Sequence, residues 1–204
     1  VKLPATATVV GDSAFMRCEA LVEITLPSAV KRIGSYAFSE TSITAFTFPD
    51  GTQPAEGMFR NCGKLASVTL PEGCTEIPAK TFSGTALQEI SLPEGLTRIG
   101  SDAFSSSSLT SLTCPSTLKE IGESAFFMCG SLATIALNDG LETIKGSAFS
   151  YCDKLETVNI PNSVTTLDGC FSNCGKLREA VLPEGLTSIS SSLFNMCMAL
   201  ESVN

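Results

Sequence analysis

No histidine occurs anywhere in the chain. That absence removes the commonest general base, the usual proton shuttle and the commonest metal ligand together. Tryptophan is also missing and tyrosine appears only twice, a poor basis for an aromatic platform under a sugar ring. Positive charge is scarce: 13 Lys and Arg stand against 21 Asp and Glu, a net charge of −8. A partner of nucleic acid needs a basic face, so this balance argues against that class. No apolar run approaches the roughly 18 residues of a membrane-spanning helix, and no signal peptide is read at the start. Hydrophobic residues make up 43% of the 204 positions, enough to bury a sizeable core.

What the chain has is a repeated phrase. Ser91–Phe104 reads SLPEGLTRIGSDAF and Val181–Phe194 reads VLPEGLTSISSSLF. Prolines recur at Pro4, Pro27, Pro49, Pro71, Pro93, Pro115, Pro161 and Pro183, with Asn138 in the one gap, at steps of 22 or 23 residues. Phe15, Phe38, Phe59, Phe82, Phe104, Phe126, Phe149, Phe171 and Phe194 form a second ruler of the same period. Nine units result, the first and last incomplete. The chain opens at Val1-Lys2-Leu3-Pro4, inside a unit, and is expected to be part of a longer protein, with residues 1–204 forming a single repeat domain.

The unit reads L-x-x-I-x-L-P-x-x-L-x-x-I-G-x-x-A-F-x-x-C-x-x-L. Its first stretch, as in Leu21, Ile24 and Leu26, ends in the period-two alternation of a strand with one buried face. Proline closes that strand because it has no N–H to donate. The following Leu-Pro-Glu-Gly predicts a type I turn with Pro second and Gly fourth. Leu96 and Ile99 point inward on the return path, and Gly-Ser-Asp-Ala-Phe predicts a capped single turn that plugs the Phe into the core. A unit this short cannot bury its own apolar side, so units must stack into a solenoid. Strands about 4.8 Å apart then build one parallel sheet roughly 40 Å long.

Six of the nine cysteines fall three residues after the Phe: Cys18, Cys62, Cys129, Cys152, Cys174 and Cys197. The other units carry Thr41, Thr85 and Ser107 there, and their path from the Phe to the next strand is one residue shorter. We read the thiol as a small buried group and the hydroxyl as a backbone-bonding replacement in a tighter loop. Disulfides between units and a metal held by Cys129, Cys152, Cys174 and Cys197 are competing readings; thiols in a line suit neither disulfide geometry nor a zinc tetrahedron well. Cys74, Cys114 and Cys170 replace apolar residues of the pattern and read as packing.

The phrase LPxxLxxIGxxAFxxCxxLxxIxLP resembles the BspA-type bacterial leucine-rich repeat over the whole chain. Departures are local: Asn138 for proline, Pro54 in the third unit, and Thr-Leu-Asp-Gly-Cys-Phe at 166–171. Residues and resemblance together set the expected fold class, an α/β-type repeat solenoid. It would be a curved right-handed array with short parallel strands on one face and short turns or helical turns on the other. The resemblance further implies a secreted or surface-displayed bacterial protein that binds host matrix proteins or other cells.

Candidate sites follow from which positions face outward. On the strand face they include Glu23, Thr25, Thr47, Thr69, Glu89, Ser91, Thr113, Thr157, Asn159 and Glu179. This Ser/Thr-rich surface is either a solvated face or a contact for an extended protein partner; Thr is also simply a good exposed strand residue. Phe127, Met128, Tyr151, Met196 and Met198 stand where other units carry polar residues. They form an apolar patch that marks a contact or packs on neighbouring loops. An uncapped C-terminal end offers end-to-end self-association. No catalytic residue, cofactor or metal is assigned, calcium near Asn138-Asp139 included, since carboxylates do not recur at a fixed column. The expected function is a non-enzymatic protein-interaction module; the alternative is a passive spacer displaying another domain.

Overall fold

The structure is a computed structural model that describes residues 1–204. Its strands are β1 (Val9–Val10), β2 (Arg32–Ile33), β3 (Ala45–Thr47), β4 (Ser67–Thr69), β5 (Glu76–Ile77), β6 (Arg98–Ile99) and β7 (Ser111–Thr113). They continue with β8 (Glu120–Ile121), β9 (Thr134–Ala136), β10 (Thr143–Ile144), β11 (Thr157–Asn159), β12 (Thr166–Leu167), β13 (Glu179–Val181) and β14 (Ser202–Val203). All pair in parallel, each with the equivalent residues of a neighbouring coil. Coils are numbered here by their phenylalanine, from Phe15 in coil 1 to Phe194 in coil 9.

The strands fall in two columns, not one. The first column, on the predicted strand face, is broken into the pairs β3–β4 and β7–β9 and the triplet β11–β13–β14. The second column, on the return path, carries the longest sheet, β5–β6–β8–β10–β12, and a separate pair β1–β2. Pro54 stands in this column between the two, where a strand would need a donor. The 40 Å continuous sheet of the sequence reading is thus corrected to short segments on two sides of the coil.

The third side carries the Phe, and there the expected helical turns are corrected: the chain contains no helix. Residues two before and two after each Phe are left-handed, as at Asp102 (φ 55°) and Ser106 (φ 57°) around Phe104. A right-handed helix cannot run through two such residues. The amides bond between coils instead. Asp102, Phe104 and Ser106 donate to the carbonyls of Glu123, Ala125 and Phe127 of the next coil at 2.9, 2.8 and 2.7 Å. Two of the three Leu-Pro-Glu-Gly turns, those ending at Gly73 and Gly95 but not at Gly185, also differ from the type I expectation. Leu96 N–H donates to Pro93 O, so proline is the first turn residue, and Gly95 is third with φ +102°. A positive φ at that place is the requirement of a type II turn and the reason for glycine.

Inside, one apolar cluster of 47 buried residues runs through the array. The nine phenylalanines stack face to face with ring centroids 5.2–6.0 Å apart. Such stacked pairs contribute about 0.5–1.5 kcal/mol beyond burial. The glycine after the inward Ile marks the closest approach of coils. A Cβ at Gly100 or Gly122 would lie 2.7 Å from the backbone of the coil before. Outside the second column, Arg98 pairs with Glu76 and, at 3.2 Å, with Glu120, which also takes Lys145 at 2.8 Å.

Candidate interaction surface

The cysteines are structural. Each thiol of coils 3, 6, 7, 8 and 9 donates back to the carbonyl of the preceding coil's Phe: Cys62 to Phe38 (3.0 Å), Cys129 to Phe104 (3.0 Å), Cys152 to Phe126 (3.4 Å), Cys174 to Phe149 (3.1 Å) and Cys197 to Phe171 (3.0 Å). In the shorter loops, Thr41 and Thr85 hydroxyls donate to the carbonyl of their own coil's Phe, both at 2.9 Å. Ser107 meets Cys129 Sγ instead. All nine cysteines are unbridged, and no three Cys, Asp or Glu side chains converge on one point. Cys18 departs from the buried-thiol reading: it is exposed. Burial raises the thiol pKa of Cys62, Cys74, Cys129 and Cys152, and pushes that of Cys114 up to about 12. These are inert groups rather than nucleophiles.

On the first strand column, Glu23, Thr25, Thr47, Thr69, Glu89, Ser91, Thr113, Thr157, Asn159 and Glu179 are all exposed. Each flanks a central residue that is buried or half-buried, such as Phe46, Leu112 and Val158. The structure therefore aligns them as one array across the coils. The apolar candidates separate into two places. Met128 (50% exposed) and Tyr151 (40%) sit on adjacent coils, with the half-buried Phe127 ring edge-on to Tyr151 at 5.5 Å. Met196 and Met198 lie two coils further on, with Asn173 between in the same column. Met128, Tyr151 and Met196 are themselves left-handed residues, with φ of 59°, 61° and 60°.

What the repeat pattern concealed is a lapse in the ladder. None of the amides or carbonyls of Glu89–Leu92 in coil 5 is hydrogen-bonded within the protein. β4 pairs away from coil 5 with β3, and β7 pairs away from it with β9. An open depression of about 610 Å³ lies there, lined by Ser67, Val68, Glu89, Ser91, Glu94 and Thr113 among others. Nothing in the residues at 89–92 departs from the repeat phrase, so spacing alone carried no signal for it.

A family model described as BspA type leucine rich repeat region matches residues 1–109 and 97–204, in six copies. Among curated proteins, none matches the chain in sequence. Three solved structures share the fold. A leucine-rich repeat protein from Bacteroides ovatus is 22% identical, with a TM-score of 0.53, over 99% of this chain and 71% of that one. The pneumococcal vaccine antigen PcpA is 16% identical, with a TM-score of 0.59, over 99% and 66%. A leucine-rich repeat protein from Eubacterium ventriosum is 20% identical, with a TM-score of 0.54, over 100% and 65%.

Proposed function

The chain belongs to the BspA-type leucine-rich repeat family, and on that footing we propose that residues 1–204 form one non-enzymatic protein-interaction domain. Its first strand column meets a protein partner, and the molecule is secreted or displayed on a bacterial surface. One observation carries the reading: ten outward side chains spread over seven coils lie on one exposed side, while the residues between them are held by the core. A solenoid built this way presents an extended surface suited to an extended partner. The display outside the cell follows the family resemblance, and one protein of like fold is described as a vaccine antigen. A host matrix or cell-surface protein is the partner class this reading names. The fold crosses no membrane by a helix, since none is present.

Two further contacts belong to the same reading. The Phe127–Met128–Tyr151 patch is a secondary contact on the Phe side. End-to-end self-association uses the C-terminal end, where Ile189 is 59% exposed and Met198 82%, while Ile99, Ile121 and Ile144 of inner coils are fully buried. Sedimentation over a concentration series tests the latter; a monomer at every concentration excludes it.

The main test places a photo-crosslinking amino acid at Thr47, Thr113 or Thr157 on the strand face, and at Asn61 or Ser106 on the Phe side. Host-surface proteins are the bait. Crosslinks confined to the strand face support the reading. Crosslinks only from the Phe side, or none from any position, sink it and leave the spacer role in its place.

A further inference from the structure

We propose that the lapse in the strand ladder at coil 5 is a seat for a cationic side chain of a partner polypeptide, arginine above all. This rests on the reading that the first strand column meets protein, and it names the chemistry that column recognises.

The seat is defined by what surrounds it. The carbonyls of Glu89, Ile90, Ser91 and Leu92 have no donor within the protein. Backbone carbonyls left this way take a donor from water or from a ligand. A second depression of about 310 Å³ opens between coils 4 and 5 and shares Val68, Ser91 and Leu92 with the larger one. The coils thus stand apart on both flanks of residues 89–92. Every charged residue lining the two hollows is a carboxylate, Glu89 and Glu94. Elsewhere on the surface Glu40, Glu76, Glu120, Glu142 and Glu156 each hold a Lys or Arg, while Glu23 and Glu179 are unpaired but line neither hollow. Glu89 holds none, and Glu94 accepts only the Ser116 hydroxyl at 2.8 Å. Negative potential is therefore left uncompensated where bare acceptors are concentrated.

A guanidinium fits that inventory. It brings five N–H donors in a planar fork and no acceptor. Its aliphatic stem lies along half-buried Val68, Ile90 and Leu92, the way long cationic side chains cover apolar surface while keeping the head polar. The charged head then donates to a carboxylate and to those open carbonyls that face the same hollow. An ammonium supplies three donors without the fork and binds less well. An anionic ligand meets both carboxylates and is repelled.

The probe is a fluorescein-labelled decapeptide of alternating Thr and Arg, with Thr-Lys and Thr-Glu counterparts, read by fluorescence anisotropy at about 0.15 M salt, where distant charges are screened. The expected order is Arg above Lys, with no binding of the Glu peptide. The pair Glu89→Gln/Glu94→Gln weakens the Arg peptide by about tenfold or more, the equivalent of about 1.4 kcal/mol. The pair Glu23→Gln/Glu179→Gln, equal in charge but away from the seat, changes it less than about twofold by the same screening. Amide NMR shifts on titration move at Glu89–Leu92. Equal losses in the two pairs, or unmoved amides at 89–92, overturn the seat and leave only net-charge attraction. Crosslinks from Thr47 and Thr157 that ignore Glu89→Gln/Glu94→Gln also overturn it while the face reading stands. Specific peptide binding without crosslinks to host protein does the reverse.

Discussion

The Phe side and the first strand column use the same nine coils and behave oppositely. On the Phe side, every coil from 1 to 8 donates its Phe N–H to the next, from Phe15 to Ala37 at 2.8 Å through Phe171 to Leu193 at 3.1 Å. On the strand column the pairing fails around Glu89–Leu92 and again between β9 and β11. The Phe side couples coils through three terms at once: backbone bonds, stacked rings and, from five coils, a thiol on the preceding coil's Phe carbonyl. The strand column has its buried central residue and little else. Stability in a stacked array is a sum of nearest-neighbour terms, so the side that supplies most of them leaves the other side free to open and bind.

The largest break in that contrast comes from Phe104→Ala. It removes a fully buried ring stacked on two others and destabilises by about 3–5 kcal/mol. Urea denaturation checks it, and an inner coil weakened this much also splits the single unfolding transition in two.

Cys129→Ala comes next. It strips the Sγ donor from the buried Phe104 carbonyl, which keeps the Ser107 N–H at 3.0 Å, and lowers stability by about 0.5–1.5 kcal/mol in the same assay. The thiols sharpen the comparison by reactivity as well. A thiol reagent such as dithionitrobenzoate labels exposed Cys18 quickly in the folded protein, and the other eight only on unfolding. Fast native labelling of Cys129 or Cys152 contradicts the ladder.

pH dependence separates the two sides further. The buried thiols of Cys62, Cys74, Cys129 and Cys152 hold their protons in the fold, as does Cys114 up to about 12, while unfolded thiols titrate near about 8.5. The stabilisation is intact below that value and is lost as pH rises through the folded values. At the acid end, Lys145 first and Arg98 second hold the Glu120 carboxyl below its ordinary range. Its contribution is present above about 4.3, the unfolded value, and lost as pH falls through the folded one. Glu120→Gln flattens that acid limb and, being partly solvent-screened, changes stability at neutral pH by no more than about 1 kcal/mol.

The smallest effect belongs to the strand column. Thr113→Lys, on an exposed position, shifts the urea midpoint by the equivalent of about 0.5 kcal/mol or less. A loss as large as that of Cys129→Ala would mean that the column is structural after all.

Much of this was legible in the residues. The two rulers of Pro and Phe placed every coil, and the Cys or Thr at one position told apart two loop lengths that the structure shows as two ways of adding a second donor to a Phe carbonyl. The outward strand residues were readable because alternation in a short strand has only two faces. The apolar patch was half readable: Met128 and Tyr151 are neighbours, but the column does not continue through Asn173 to Met196. The helical turn was misread because Gly-Ser-Asp-Ala-Phe has helix-cap residues, and the same Ser and Asp also tolerate the left-handed backbone found there.

By itself the sequence determined the period, the inward set and the need to stack, because those depend only on which side chains avoid water at a fixed spacing. The direction of each backbone bond was decided by the tertiary structure. So were the second strand column, the left-handed pairs around each Phe and the opening at Glu89–Leu92. A backbone amide is chemically the same in every coil, and its partner is chosen by how closely the neighbouring coil approaches.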